Sequence, residues 1–302
     1  MLSSYYTTLI ALKGALSDPL LVGGVPSSGA LGQDASASLR LGGAVVVYSM
    51  LEDHIDKAVD RLVDFVSARG FDARLFPEKL QKFLIVDAIS SMANQMRFQE
   101  SGENVASAMT NIPKLSLVTE TPSEFRLHGL RKQGSNVVFK DVTGAFGAFG
   151  VKNLFEGKLK DILNDIGGSR PSPKQDFITL SKTRNSSAHK AYHSISISNL
   201  QNHIDSAILL GVAIDCLIRF MSAAIKFYNN ESDFDAEMSF PAKQYRFLDE
   251  VGVGKFVESV SGAKRASKKY STLEAGLRGC MSRASDLPIV VRRAQFPIGV
   301  AY

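Results

Sequence analysis

Residues 183–192 read T-R-N-S-S-A-H-K-A-Y. They set Arg184 five positions ahead of His189, with Asn185 directly after the arginine. Arginine stays charged at physiological pH, and its planar fork matches a phosphate. Histidine gives or takes a proton near neutrality. The two suit the cleavage of a phosphodiester by a neighbouring 2′-hydroxyl. The ring would move protons while the fork neutralises charge gathering on the phosphorus oxygens. Taken alone, the same spacing also suits an arginine solvated on a helix surface and a histidine that caps or packs.

A helix must carry these residues. Ser172 or Pro173 can start it, Phe177, Ile178 and Leu180 are its apolar side, and His189 falls near its end. At about 100° per residue, Arg184 and His189 project about 140° apart on a straight helix. Asn185 and His189, four apart, share a face, so the amide can orient the imidazole. Arg184 then reaches the same phosphate by its length, by distortion at the helix end, or from a second subunit. A long apolar helix is expected over 200–228, capped near 197–199.

Upstream, 39–69 reads as one helix. Val47, Leu51, Ile55, Ala58, Val59, Leu62 and Val66 form its stripe, Glu52 and other charges cover the remaining surface, and Gly70 stops it. A short helix is expected at 5–16, then a Gly/Pro/Ser-rich loop, with Asp34 or Ser36 capping the next helix. Pro77 opens a helix to about residue 96, and 105–111 is read as a helical turn. Between 113 and 142 the rhythm breaks. L-S-L-V-T-E-T and S-N-V-V-F-K-D-V are rich in alternation and β-branching, and predict a small β insertion. T-G-A-F-G-A-F-G (143–150) lacks a phosphate-loop signature and reads as a flexible connection with two packing phenylalanines. A third helix spans 151–166 and ends at Gly167-Gly168.

The pattern Arg-Asn-x-x-x-His, followed by a short linker and a long helix, resembles the HEPN domain family. V-V-V-Y-S-M-L-E-D-H-I-D-K-A-V (45–59) is similar to the first helix of the RiboL-PSP type. V-K-N-L-F-E-G-K-L-K-D-I-L-N-D-I-G-G (151–168) looks like the segment of that type preceding the motif helix. The resemblance covers roughly 39–228. It implies a mainly all-α, antiparallel helical bundle and a metal-independent endoribonuclease that leaves a 2′,3′-cyclic phosphate and a 5′-hydroxyl. His189 would be the general base or acid, Arg184 the stabiliser of the phosphorane-like transition state, and Asn185 the orienting group. It also implies an RNA substrate, a homodimer with the two motifs in one composite cleft, and a toxin–antitoxin or antiviral defence setting with its own partner. The competing implication is a non-catalytic module of the same type that binds nucleotide or RNA, or dimerises. Glu52 matches the acidic position of the family's first helix; it touches the motif or lies solvated. Tyr192 sits three residues after His189, where some related toxins place a tyrosine at two. A tyrosine-modification switch is therefore disfavoured against packing or phosphate contact.

No cofactor or metal is expected. His189, His193 and His203 have no carboxylate or cysteine to complete a set, and His54 and His128 show no constellation. Cys216 and Cys280 are too few for a disulfide framework, and Cys216 reads as a buried thiol. The net charge of +5 permits a polyanionic partner without demanding one. No leader is evident in the first fifteen residues. Asp215 and Arg219 interrupt the most apolar run, so it is read as a buried core helix, not a membrane span, and the setting as cytoplasmic. The chain is divided into an N-terminal segment (1–36), a helical bundle (37–228) and a basic C-terminal extension (229–302). The extension is expected to hold helices over 242–260 and 270–284 and then a strand-like L-P-I-V-V. Its Lys264, Arg265, Lys268 and Lys269 either track an RNA backbone or form a solvated face.

Overall fold

The structure, a computed structural model, describes residues 2–17, 30–90, 130, 136–189, 194–238, 244–262, 268–283 and 287–301, with backbone only at 30–35 and 73. It is mostly helical. The helices are α1 (Ser4–Ala15), α2 (Ala30–Ser67), α3 (Glu78–Gln81, continuing into wide turns over Lys82–Val86), α4 (Phe139–Ala148), α5 (Lys160–Asp165, preceded by wide turns over Leu154–Leu159), α6 (Pro173–His189), α7 (Ile197–Ile225) and α8 (Leu273–Met281). Five strands follow α7: β1 (Arg246–Gly252), β2 (Lys255–Val260), β3 (Lys268–Tyr270), β4 (Ile289–Arg293) and β5 (Phe296–Ala301).

Two compact units are built from these elements. The first takes residues 1–54, 159–217 and 244–302; the second takes 55–158 and 218–243. In the first, Tyr6, Leu9, Val47, Tyr48, Leu51, Phe177, Leu180, Ile204 and Val212 are buried. In the second, Ile55, Val59, Leu62 and Val66 continue the α2 stripe inward. Phe234 there meets Phe71, Phe76 and Tyr228 edge-on at 5.8, 5.3 and 4.8 Å, the arrangement that aromatic quadrupoles favour. The whole stripe expected for the early helix is buried. Its start is not as expected: α2 already runs at Ala30, so neither Asp34 nor Ser36 caps it, and Ser36 is buried within the helix.

α7 is long and apolar enough to cross a membrane by composition, yet 83% of its most apolar window is buried inside the protein. It packs as a core helix. Ser172 accepts from the Gln175 N–H and Ser196 from the Asn199 N–H, so α6 and α7 each begin on a serine cap.

Two stretches expected otherwise are helix or strand. Residues 139–148, split between the β insertion and the flexible connection, are α4. The Asp141 carboxylate reaches back to accept from the Val138 N–H at 2.9 Å, and this cap outweighs the β-branched pair before it. The rest of the expected insertion, 113–129 and 131–135, and the turn at 105–111 lie outside the described residues. Residues 246–260, expected as helix, form a hairpin of β1 and β2. Val253-Gly254 is its turn, with Gly252 opposite Lys255. Glycines at 252 and 254 disfavour a helix and supply a hairpin turn.

The sheet has the order β3-β2-β1-β4-β5. β1 pairs antiparallel with β2 and parallel with β4, Leu248 lying opposite Glu258 and Val291. A parallel neighbour requires a crossover, and α8 supplies it between β3 and β4. α8 covers a core of Leu248, Phe256, Leu277, Cys280, Ile289 and Val291. On the outer edges, β3 is three residues long and carries Lys268 and Lys269, while β5 is bridged by Leu2 to Ala301. Short, charged or covered edges block unwanted strand pairing.

Gly150 follows α4 at φ +83, and a Cβ there would lie 2.8 Å from the Ala236 carbonyl oxygen. Left-handed backbone and a backbone clash act together. Gly150→Ala should therefore cost about 2 kcal/mol, read as a lowered urea midpoint. An unchanged midpoint would contradict the packing of this turn.

Candidate functional site

On α6 the buried positions are Pro173, Phe177 and Leu180. The same spacing continues to Arg184 and Ser187, both half-buried. The inward stripe of the helix thus turns polar in its last two turns. Arg184 Nε and Ser187 Oγ are out of water and make no hydrogen bond among the described residues. The other end of the guanidinium donates from Nη1 to Asn185 Oδ1 at 3.2 Å. Asn185 and His189 are exposed, and His189 is the last described residue of the helix. α6 is continuous through both motif residues, so no distortion at its end draws them together. Arg184 and Asn185 meet; His189 projects about 140° from Arg184.

Tyr192 and His193 lie outside the described residues. His203, half-buried on α7, is pushed below the ordinary histidine range by burial. No group of three potential metal ligands occurs among the described residues. Glu52 does not lie on a solvated face; it is buried. α2 turns that side of its second half inward as well as the apolar stripe.

A buried polar cluster was not anticipated. Tyr6 Oη donates to Asp215 Oδ2 at 2.5 Å, and His54 Nε2 lies 3.3 Å from Asp215 Oδ1. The Tyr5 ring stacks on His54 at 4.1 Å, and Tyr5 Oη donates to the Ala207 carbonyl at 2.6 Å. Gly211 permits this approach, because a Cβ there would sit 2.5 Å from the Tyr5 ring. Burial first, and then the Asp215 charge, push the Tyr5 phenol well above its ordinary value. So His54 does belong to a constellation, one that joins α1, α2 and α7. All four side chains are buried, and the cluster serves cohesion. The available signal was Asp215 itself: a carboxylate in an apolar helix needs partners. Tyr6→Phe removes one charge-assisted hydrogen bond from a buried acceptor. It should cost about 2 kcal/mol, measurable by urea unfolding; a change under about a quarter of that would show the bond to be dispensable.

The basic extension contains a second charged group of contacts. Glu258 is fully buried on β2 and accepts from Arg246, from Arg283 and, at 2.7 Å, from Tyr270 Oη. Burial works to raise its pKa. The hydrogen bonds of Tyr270 and Arg246, with the charges of Arg246 and Arg283, outweigh burial and hold it below the ordinary value. Nearby, burial and then the Glu258 charge push the Cys280 thiol up to about 12, which makes it inert. Asp249 binds Arg292 through both oxygens at 2.5 and 2.8 Å, and that guanidinium lies over the Phe247 ring at 3.9 Å.

Residues 244–302 hold ten Lys/Arg against five Asp/Glu, an excess of five that equals the net charge of the whole chain. Arg246, Arg283, Arg292 and Arg293 are spent on internal carboxylates. Lys255, Lys268, Lys269 and Arg278 are exposed, and Lys264 and Arg265 lie outside the described residues. No family model, no curated protein and no solved structure matches the chain.

Proposed function

We propose that the chain is a HEPN-type endoribonuclease whose chemistry sits at the C-terminal end of α6. One observation carries the reading: the Arg-Asn-x-x-x-His motif ends a continuous helix with its imidazole in solvent and its arginine seated beside the asparagine. Among the described residues the buried donor at Arg184 Nε makes no hydrogen bond, and an unmade hydrogen bond out of water is costly unless a ligand completes it. A phosphate oxygen is such a ligand. His189 shuttles the proton of the 2′-hydroxyl or of the leaving oxygen, Arg184 offsets charge on the phosphorane, and Asn185 orients the ring. The RNA is cut to a 2′,3′-cyclic phosphate and a 5′-hydroxyl, without a metal. Lys268 and Lys269, with Lys264 and Arg265, attract the RNA backbone from the extension that holds the net positive charge. The setting in this reading is cytoplasmic, and a toxin–antitoxin or antiviral defence role with an antitoxin or defence partner follows from the same resemblance.

The angle between Arg184 and His189 along one helix calls for a second copy. In a two-fold dimer the arginine of one protomer meets the histidine of its partner over one phosphate. That angle also favours a second reading, a non-catalytic RNA-binding or dimerisation module. The two are separated by incubating the protein with RNA in EDTA beside His189→Ala. Cleavage by the parent alone, leaving cyclic phosphate ends and sparing DNA, supports the nuclease. Binding without cleavage supports the module. A monomer in size-exclusion chromatography at every concentration would remove the composite cleft.

A further inference from the structure

We infer that Arg40, on α2, is a positioning residue for the Arg184–His189 motif; this rests on the ribonuclease reading above. Its Nε donates to the Ile195 carbonyl at 2.8 Å and its Nη1 to Ser36 Oγ at 2.6 Å. Ile195 and Ser36 are both buried, so the fork is held at each end by a fixed group. Ile195 lies six residues past His189, a span of at most about 20 Å. The bond therefore fixes where the chain leaving the motif helix must arrive.

One ring contact joins α2 to α6, and two more join α2 to the chain that follows it. Tyr48 meets the Phe177 ring at 5.9 Å, Arg40 meets Ile195, and the Gly43 Cα faces Leu200 so closely that a Cβ would touch its Cδ2 at 3.0 Å. With Phe177 beside Tyr48 and the chain beyond His189 beside Arg40 and Gly43, we take α2 and α6 to run in opposite directions. Eight residues back from Tyr48 is Arg40; eight residues on from Phe177 is Asn185. At 1.5 Å per residue each step is about 12 Å. On that pairing Arg40 comes level with the motif, and its bond to Ile195 ties the segment after the motif helix to α2. A lysine could reach one of the two acceptors but lacks the fork that holds both.

The test compares the parent with Arg40→Ala and Arg40→Lys on a fluorescent mixed-sequence 20-nucleotide RNA, with amide exchange measured on the same preparations. Arg40→Ala should lower kcat about tenfold with KM within about twofold, because the reacting groups are misplaced while the RNA-binding surface is intact. Amides in 194–200 should exchange about tenfold faster, and those in the middle of α7 should not change. Arg40→Lys should recover part of both. Unchanged exchange at 194–200 in Arg40→Ala overturns the inference. So does faster exchange along the whole of α7, which would mark a general loss of stability. If the parent itself leaves RNA intact, the ribonuclease reading is what has failed, and the exchange comparison still decides whether Arg40 holds this connection.

Discussion

Replacing His189 by alanine is expected to slow RNA cleavage about a thousandfold, because general acid–base transfer contributes on that order. The ring is exposed at the end of α6, so the change should leave the urea midpoint where it was. Arg184→Ala should cost about a hundredfold or more, the effect of removing one donor aimed at developing charge. Arg184→Lys should recover little, since an ammonium cannot present two parallel donors. The two dead variants then report on each other. Mixed in equal amounts and allowed to exchange subunits, they should regain activity, because one supplies the ring and the other the fork. Failure to recover, with dimers present, would count against a shared cleft. Equal cleavage by parent and His189→Ala would place the activity elsewhere or in a contaminant.

The second large effect is on stability. Glu258→Ala should destabilise the sheet by about 3 kcal/mol, because it leaves two guanidinium groups facing a position with no anion. The loss stays at the low end for such pairs because the Arg283 side chain is 32% exposed and water can take over part of its charge. The pH dependence follows from the same bonds. The Glu258 pKa is lower in the folded chain than its ordinary value of 4.5. The stability it contributes is therefore complete above 4.5 and is lost as pH falls through the lower folded value. In Glu258→Gln this acid-dependent loss should shrink, and unfolding monitored between pH 5 and 2 by the Tyr245 and Tyr270 environment checks it. An acid response identical to the parent's would show that Glu258 is not the titrating group.

These two results bear on different parts of the chain. The motif's imidazole is exposed, and His189→Ala should be stable and nearly inactive. The carboxylate is interior, and its variants should be less stable. A preparation in which His189→Ala unfolds, or in which Glu258→Gln alone abolishes cleavage at full stability, would reverse this division. The exposed lysines of β3 should matter differently again. They neutralise phosphates without positioning reacting atoms, so their effect should grow weaker as salt is raised.

What was legible in the sequence was whatever depends on local spacing. The α2 stripe from Val47 to Val66, the start of α6 at Pro173, the place of His189 on that helix and the burial of Cys216 all follow from side chains recurring at helical intervals, with serine, proline and glycine marking the ends. The strand-like L-P-I-V-V was legible from its β-branched run, and the strand covers Ile289–Arg293. The hairpin of β1 and β2 was missed although Gly252 and Gly254 announced it, because its apolar and charged residues also suit a helix, and only pairing with β4 decides between them. α4 was missed because its capping carboxylate outweighed β-branched residues that read as strand. Tertiary structure alone joined Tyr6 and His54 to Asp215, residues up to 209 positions apart in sequence. It alone spent four of the extension's arginines on carboxylates and brought Arg40 against Ile195. Spacing along a chain specifies which face a residue occupies, whereas the partner that meets that face comes from a distant segment and is chosen by packing and charge.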